Sequence, residues 1–361
     1  MNKSSAAVLS QPLYFNFHNL VAVEVDTDRE EDAAFFAAEY GHHQSGETSA
    51  VTPVVVLRFR RGSSLPDGFT FHQHKLLARW GYQMRLSAGR IELDVTGNRL
   101  AAAMVHHMLL HPSLRYLSAQ RGNLLLHAGA VANAGRSLIF TGYGGTGKTT
   151  TTSLVLAGGG ASWSPHGDDY IFISPGPRSL AYVTRAHLYR DLLRWVPEIG
   201  ERLSLGERLR LEVFSAIRRW SRDGLKWAVR LPIERLWPGR AVEMSAVPAA
   251  IVLLGRSPDK AVQRPVLSPV PADEAPVDQL ISMNFYEARH FLNLVEKSRA
   301  VPDFPSWLKA WQECERDLLR QRLGEIPAYQ LELPDGVGAP AAMRSELVKE
   351  LAGLITGVNR G

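Results

Sequence analysis

The sequence predicts a two-part α/β protein, with a smaller α+β region over 1–120 and a larger α/β region over 121–361. Three observations carry this. Apolar runs of strand length recur between helix-length amphipathic stretches, the pattern changes at about residue 124, and a strand, glycine loop and helix follow one another over 137–157. At 361 residues, with 45% hydrophobic and 21% charged positions, the chain suits two or three packed domains rather than a disordered segment. Its 30 glycines and 21 prolines form no repeat, which excludes collagen-like and solenoid architectures.

In the N-terminal region the apolar runs at 20–25 and 54–59 predict strands. Ile91-Glu-Leu-Asp-Val95 alternates as a half-buried strand should, and 100–110 reads as a helix. The segments 40–49 and 61–68, with Gly, Ser, His and Pro, read as loops. The second region opens with a hairpin: a strand at 124–132, a turn at Asn133-Ala-Gly-Arg136, and a strand at 137–141. A helix at 148–157 ends at Gly158-Gly-Gly160, since glycine relaxes the backbone at a helix C-terminus. Beyond it we expect a strand at 170–173, helices within 188–220, a strand at 249–254, helices at 285–298 and 307–323, a strand at 329–333 and a closing helix at 341–355.

The sole cysteine, Cys314, excludes an intramolecular disulfide and a cysteine-rich zinc site, and fits a reducing compartment. With no apolar core of signal-peptide length near Met1 and no run of ~18 apolar residues, a cytoplasmic protein without membrane contact is expected. The net charge of +5 is modest, but the segment 185–240 holds thirteen basic and seven acidic residues. Such a segment either attracts an anionic ligand or forms solvated helices; the imbalance is too small, and a motif too plainly missing, for a nucleic-acid reader.

The strongest chemical signal is Gly142-Tyr-Gly-Gly-Thr-Gly-Lys-Thr149, which satisfies G-x-x-x-x-G-K-[ST] between a strand and a helix. In a P-loop of this type Gly142, Gly144, Gly145, Thr146, Gly147, Lys148, Thr149 and Thr150 cradle the phosphates of ATP. Lys148 spans the β and γ phosphates, and the Thr149 hydroxyl ligates Mg²⁺. Partition-type ATPases share part of this pattern, but they carry a second lysine where Tyr143 stands. Mg²⁺ also needs a carboxylate, and Asp168-Asp169 lies twenty residues beyond Lys148. Two adjacent carboxylates can divide the work, one holding the metal and the other accepting a proton from an attacking hydroxyl. The acids precede an apolar strand instead of ending one, which is unusual among P-loops.

Together, Leu126-His-Ala-Gly129, Leu138-Ile-Phe140, the loop and Gly167-Asp-Asp-Tyr170 resemble the HPr kinase/phosphorylase superfamily, in particular its HPr-kinase-like members, over about 124–175. Weaker echoes are the run from Pro248 to Arg256 and Ile326-Pro-Ala-Tyr-Gln-Leu331. The resemblance implies a P-loop kinase domain related to phosphoenolpyruvate carboxykinase, with Lys148 and Thr149 on ATP and Mg²⁺, Asp168 as metal ligand, Asp169 as general base, and His127 beside the aspartates. The Arg-Gly-x-Gly signature of the bifunctional enzymes is missing at Tyr182-Val-Thr-Arg-Ala-His187, and Pro165-His-Gly167 looks inserted, so phosphorylase activity, a hexamer and HPr as substrate are not implied. Relatives of this kind include tailoring kinases that phosphorylate a serine of a ribosomal precursor peptide, such as lasso-peptide kinases. The expected partner is therefore a peptide or protein hydroxyl, with the basic segment helping to hold an acidic peptide and residues 1–120 recognising the acceptor. A small-molecule hydroxyl kinase, a nucleotide-dependent regulatory ATPase and a carboxykinase-type enzyme are the other readings.

His107-Met-Leu-Leu-His111 has the spacing of a helical metal pair without an evident third ligand, so a surface helix is expected there. His72-Gln-His74, on a possible strand, is likewise not read as a metal site. The eight tryptophans, at 80, 163, 195, 220, 227, 237, 307 and 311, are read as core.

Overall fold

The computed structural model describes residues 11–46, 52, 54–62, 64–74, 77–176, 178–222, 225, 227–256, 264–271, 276–333 and 340–356. Residues 47–49 of the first expected loop, residue 63 of the second and Lys226 of the basic segment lie outside them. The chain is mixed α/β and its contacts divide it into two units, one of residues 1–125 with 285–315 and one of residues 126–284 with 316–361.

The first unit is built on a seven-stranded sheet. Its strands are β1 (Leu13–Phe17), β2 (Val21–Thr27), β3 (Gln44–Ser45), β4 (Val55–Arg61), β5 (Thr70–His74), β6 (Ala78–Ser87) and β7 (Arg90–Gly97), in the order β3-β1-β2-β4-β7-β6-β5. The pairs β2–β4 and β4–β7 are parallel and the remainder antiparallel. The alternation in β7 does what the sequence leads one to expect. Ile91, Leu93 and Val95 are buried, each contributing roughly 2 kcal/mol, while Asp94 faces outward to Arg58 at 3.2 Å and Arg85 at 2.5 Å.

Helix α1 (Glu30–Tyr40) connects β2 to β3. After β7 comes a continuous helical run made of α2 (Ala101–Val105), a single π turn (His106–Leu110) and α3 (His111–Gln120). Every residue of α3 from His111 to Ala119 is buried. The expectation of a surface helix around His107 and His111 is therefore overturned: His106 and His111 are 0% and 1% exposed, and the run is a core helix.

The second unit begins with β8 (Leu124–Asn133) and β9 (Arg136–Thr141), the predicted hairpin, followed by α4 (Lys148–Gly158). Strands β10 (Trp163–Gly167), β11 (Tyr170–Ser174), β12 (Arg178–Tyr182) and β13 (Ala186–Leu188) come next. Short helices α5 (Leu192–Trp195) and α6 (Pro197–Glu201) precede α7 (Leu205–Trp220), and β14 (Val229–Leu231) pairs with β13. Then come α8 (Ile233–Leu236), β15 (Ser245–Arg256), β16 (Val266–Pro269), α9 (Val277–Glu287), α10 (Arg289–Ser298), α11 (Phe304–Leu323), β17 (Ala328–Leu333) and α12 (Pro340–Thr356); of these, the end of α9 from Phe285, α10, and α11 up to Glu315 belong to the first unit.

Strand β9 lies between β8, antiparallel, and β15, parallel, and β15 also pairs parallel with β17. At its start β15 pairs with β12, which pairs with β11, and β11 neighbours β8, so the pairings return to β8. Helix α4 and α12 pack against this sheet with Leu154, Val155, Leu347 and Leu351 in its core.

Two sequence readings change here. The stretch before the acids, Trp163-Ser-Pro-His-Gly167, is a strand although it is hardly apolar: it is an edge strand, where Pro165 is tolerated, and its ladder with β8 slips between Pro165 and Gly167. Trp220, at the last turn of α7, is 84% exposed and not core, whereas Trp80, Trp163, Trp237 and Trp311 are buried. Among the described residues no helix is long and apolar enough to cross a membrane.

Candidate functional site

The loop joining β9 to α4 needs its glycines. Gly145 and Gly147 have φ of +89° and +106°, where a side chain is strained. A Cβ on Gly142 would lie 2.5 Å from Thr146 Oγ1 and 3.1 Å from the Leu254 carbonyl oxygen of the adjoining strand. Thr146 Oγ1 donates to the Tyr143 carbonyl at 2.9 Å, closing the turn. Gly144 and Gly145 are exposed, and α4 starts directly after, so its first N–H groups and the positive end of its dipole face the loop. Lys148 is 8% exposed and its ammonium bends back, donating to the Gly142 carbonyl at 2.7 Å and the Tyr143 carbonyl at 3.3 Å. Its charge is thus held within the loop by carbonyls that a stronger anion can replace.

Asp168 and Asp169 form the turn between β10 and β11. The close approach of β8 explains Gly129: a Cβ there would meet Thr152 Cγ2 at 2.9 Å and the Asp168 carbonyl oxygen at 3.3 Å. One residue earlier, the Ala128 N–H donates to the Asp169 carbonyl at 3.0 Å, so the Leu-His-Ala-Gly segment anchors the acid pair through its backbone. His127 itself lies against Tyr170, ring centroids 5.3 Å apart, with its carbonyl accepting from Thr141 Oγ1 at 3.3 Å and its N–H directed at Asn284 Oδ1 at 3.4 Å.

The two carboxylates differ. The Thr149 hydroxyl and the His187 backbone N–H lie against Asp168 and favour its charged form, while its Oδ2 is buried with no hydrogen-bond partner among the described residues. Burial, followed by the neighbouring Asp169 charge, pushes its pKa up to about 6. Asp169 is more open, and its Oδ2 lies 3.0 Å from His187 Nδ1. Two carboxylates in unlike surroundings are the condition for dividing metal binding from proton transfer.

Sequence reasoning missed His187. It sits on the three-residue strand β13 opposite Arg230 of β14, so the ribbon brings part of the basic segment beside the acids. Tyr189, two residues on, has its pKa raised by burial and by the Asp169 charge, and its ring lies 6.0 Å from the Arg218 guanidinium. Other arginines of the segment are engaged locally: Arg190 with Glu212, Arg218 with Asp191, and Arg235 with Glu207. The insertion-like Pro165-His-Gly167 has a structural role, since the His166 ring is fully buried and bonded to the Ser179 hydroxyl at 2.8 Å and to the Glu243 carbonyl.

Thr149, Asp168 and His187 border a small hollow, partly open to solvent, whose remaining wall includes Leu188, Ile233 and Trp237. Thr149, the acid pair, His187 and the glycine loop are thus brought together, with His127 one residue from the backbone anchor. No protein-family profile matches the chain, and no curated protein sequence matches it.

Proposed function

We propose that this chain is a phosphotransferase of the HPr-kinase-like P-loop type, which moves the γ-phosphoryl group of ATP to a hydroxyl, a serine of a peptide or protein. The observation that carries the reading is that Thr149, at the first turn of α4, and Asp168 meet at one hollow, with a second, more open carboxylate next to Asp168 held by His187. The donors suit Mg²⁺: the Thr149 hydroxyl and the buried Asp168 Oδ2 are hard oxygens, and a cation there would satisfy an oxygen that has no hydrogen-bond partner among the described residues. When bound, the ion would neutralise charge on the phosphates.

In this reading the loop amides from Gly144 to Thr150 bind phosphate oxygens, and Lys148 exchanges the Gly142 and Tyr143 carbonyls for them. His187 orients Asp169 by donating from Nδ1. Asp169 accepts the proton of the acceptor hydroxyl as the hydroxyl oxygen bonds to the γ phosphorus and the bond from that phosphorus to the β–γ bridging oxygen breaks, leaving ADP. Positioning and charge neutralisation supply most of the rate.

Asp169→Asn should keep ATP binding and the fold while lowering transfer by about 10²–10⁴, the range for loss of a general base. Undiminished transfer would refute the assignment.

A further inference from the structure

The π turn in the first unit gathers side chains that a regular helix would keep apart. On an α-helix residues 106 and 111 point about 140° from one another. Here the His111 N–H donates to the His106 carbonyl, five residues back, while the His106 N–H makes the ordinary bond to the Ala102 carbonyl. The added residue in the turn swings His111 back over His106, with His107 beside both. Ring centroids are 4.2 Å apart for His106–His111, 4.8 Å for His106–His107 and 5.3 Å for His107–His111. One nitrogen from each ring lies within 4.8 Å of the others. From α1, Glu39 Oε2 comes to 3.8 Å from His106 Nε2.

This group is buried: His106, His111 and Glu39 are 0%, 1% and 1% exposed, and His107 is partly covered. Phe35 and Tyr40 wall it in, their ring centroids 6.0 and 5.1 Å from that of His106. Within this aromatic wall three imidazole nitrogens converge, with a carboxylate oxygen beside one of them, the ligand types that a transition-metal ion takes.

We propose that His106, His107, His111 and Glu39 form a binding site for a divalent transition-metal ion of the Zn²⁺ class, joining α1 to the π turn. Three nitrogens and one oxygen are a donor set for Zn²⁺ and its first-row neighbours, not for Mg²⁺ or Ca²⁺, which take oxygen. Tetrahedral ligation at ~2.0–2.1 Å places ligand atoms about 3.4 Å apart, so the rings need to close by little more than 1 Å. The site is separate in residues and donor chemistry from Thr149 and Asp168, and its burial suits a four-coordinate structural ion.

The test uses the full-length chain without a polyhistidine tag, stripped with chelator and titrated with Co²⁺. One equivalent should bind with the visible ligand-field bands of tetrahedral cobalt, and one equivalent of Zn²⁺ should displace it and raise the thermal midpoint. His107→Gln, at the least buried ligand, should retain the far-ultraviolet circular dichroism spectrum yet weaken binding by more than about 100-fold, beyond the loss of an outer-shell partner. Asp168→Asn should leave the coloured site intact, which separates it from the oxygen site. The proposal is overturned if the unaltered chain shows no coloured equivalent that Zn²⁺ displaces, or if that equivalent persists undiminished in both His107→Gln and Glu39→Gln.

Discussion

Asp168→Asn should stabilise the metal-free protein at alkaline pH, at the same time as it abolishes phosphotransfer. The folded state holds the Asp168 carboxyl at about 6, against 3.8 for an unperturbed aspartate, through burial and then the Asp169 charge. A carboxyl whose pKa is raised by folding favours the fold while protonated. Its contribution is complete below pH 3.8 and is lost as pH rises through about 6. The interval corresponds to ~3 kcal/mol at 1.36 kcal/mol per pKa unit, an upper bound because Asp169 shares the repulsion. Asparagine keeps the acceptor for Thr149 and carries no charge, so the substituted protein should be up to ~3 kcal/mol more stable at pH 8 and equal at pH 4. Urea unfolding of both proteins in chelator at the two pH values measures the difference, since carboxylates elsewhere titrate alike in both. Adding Mg²⁺ should narrow the gap at pH 8 by stabilising the unaltered protein alone. A difference that is the same at both pH values, or an asparagine protein less stable at pH 8, would refute the reasoning.

In the first unit, Arg115 makes a bidentate pair with Glu315 at 2.7 and 2.5 Å, both side chains nearly fully buried, and Trp311 Nε1 donates to the same carboxylate at 2.8 Å. Glu315→Ala strands a buried guanidinium and should cost about 3–5 kcal/mol by thermal unfolding, while Arg115→Met with Glu315→Leu should recover most of it. Gly142→Ala places a methyl against Thr146 and the Leu254 carbonyl, and should weaken ATP binding at least about tenfold by calorimetry with little change in the fold. Ser204 caps α7 in a reciprocal box with Glu207, so Ser204→Ala should cost about 1 kcal/mol, seen as faster amide exchange over 205–210. Because the Arg235 hydrogen bond lowers the Glu207 pKa to about 2, that carboxylate's contribution is complete above pH 4.5 and fades only as pH falls towards 2.

What was legible in the sequence was local. The hairpin β8–β9, the glycine loop and α4 follow from adjacent residues whose turn chemistry and apolar runs agree, and β7 follows from strict alternation. What was not legible depends on distant partners or on an irregular period. His187 stands on a strand of three residues, too short to show a pattern, and is placed by pairing with a strand some forty residues later. Strand β10 hides behind Pro165 and polar residues because an edge strand needs neither a full ladder nor an apolar run. His107 and His111 share a face at 3.6 residues per turn but His106 lies off it, so only the π turn reveals the convergence of all three. Trp220 shows the reverse error, a core-type residue left outside at the end of an amphipathic helix.

The central claim is transfer of a phosphoryl group from ATP to a hydroxyl by the loop and acid pair. Its most direct measurement incubates the purified chain with γ-labelled ATP, Mg²⁺ and a host lysate separated into polypeptide and small-molecule fractions, with inorganic phosphate removed and Lys148→Ala as the blank. The account predicts label on a serine of a polypeptide that depends on Lys148 and Asp169. Label confined to the small-molecule fraction would keep the chemistry and replace the acceptor, and absence of acceptor label from both fractions would contradict the claim.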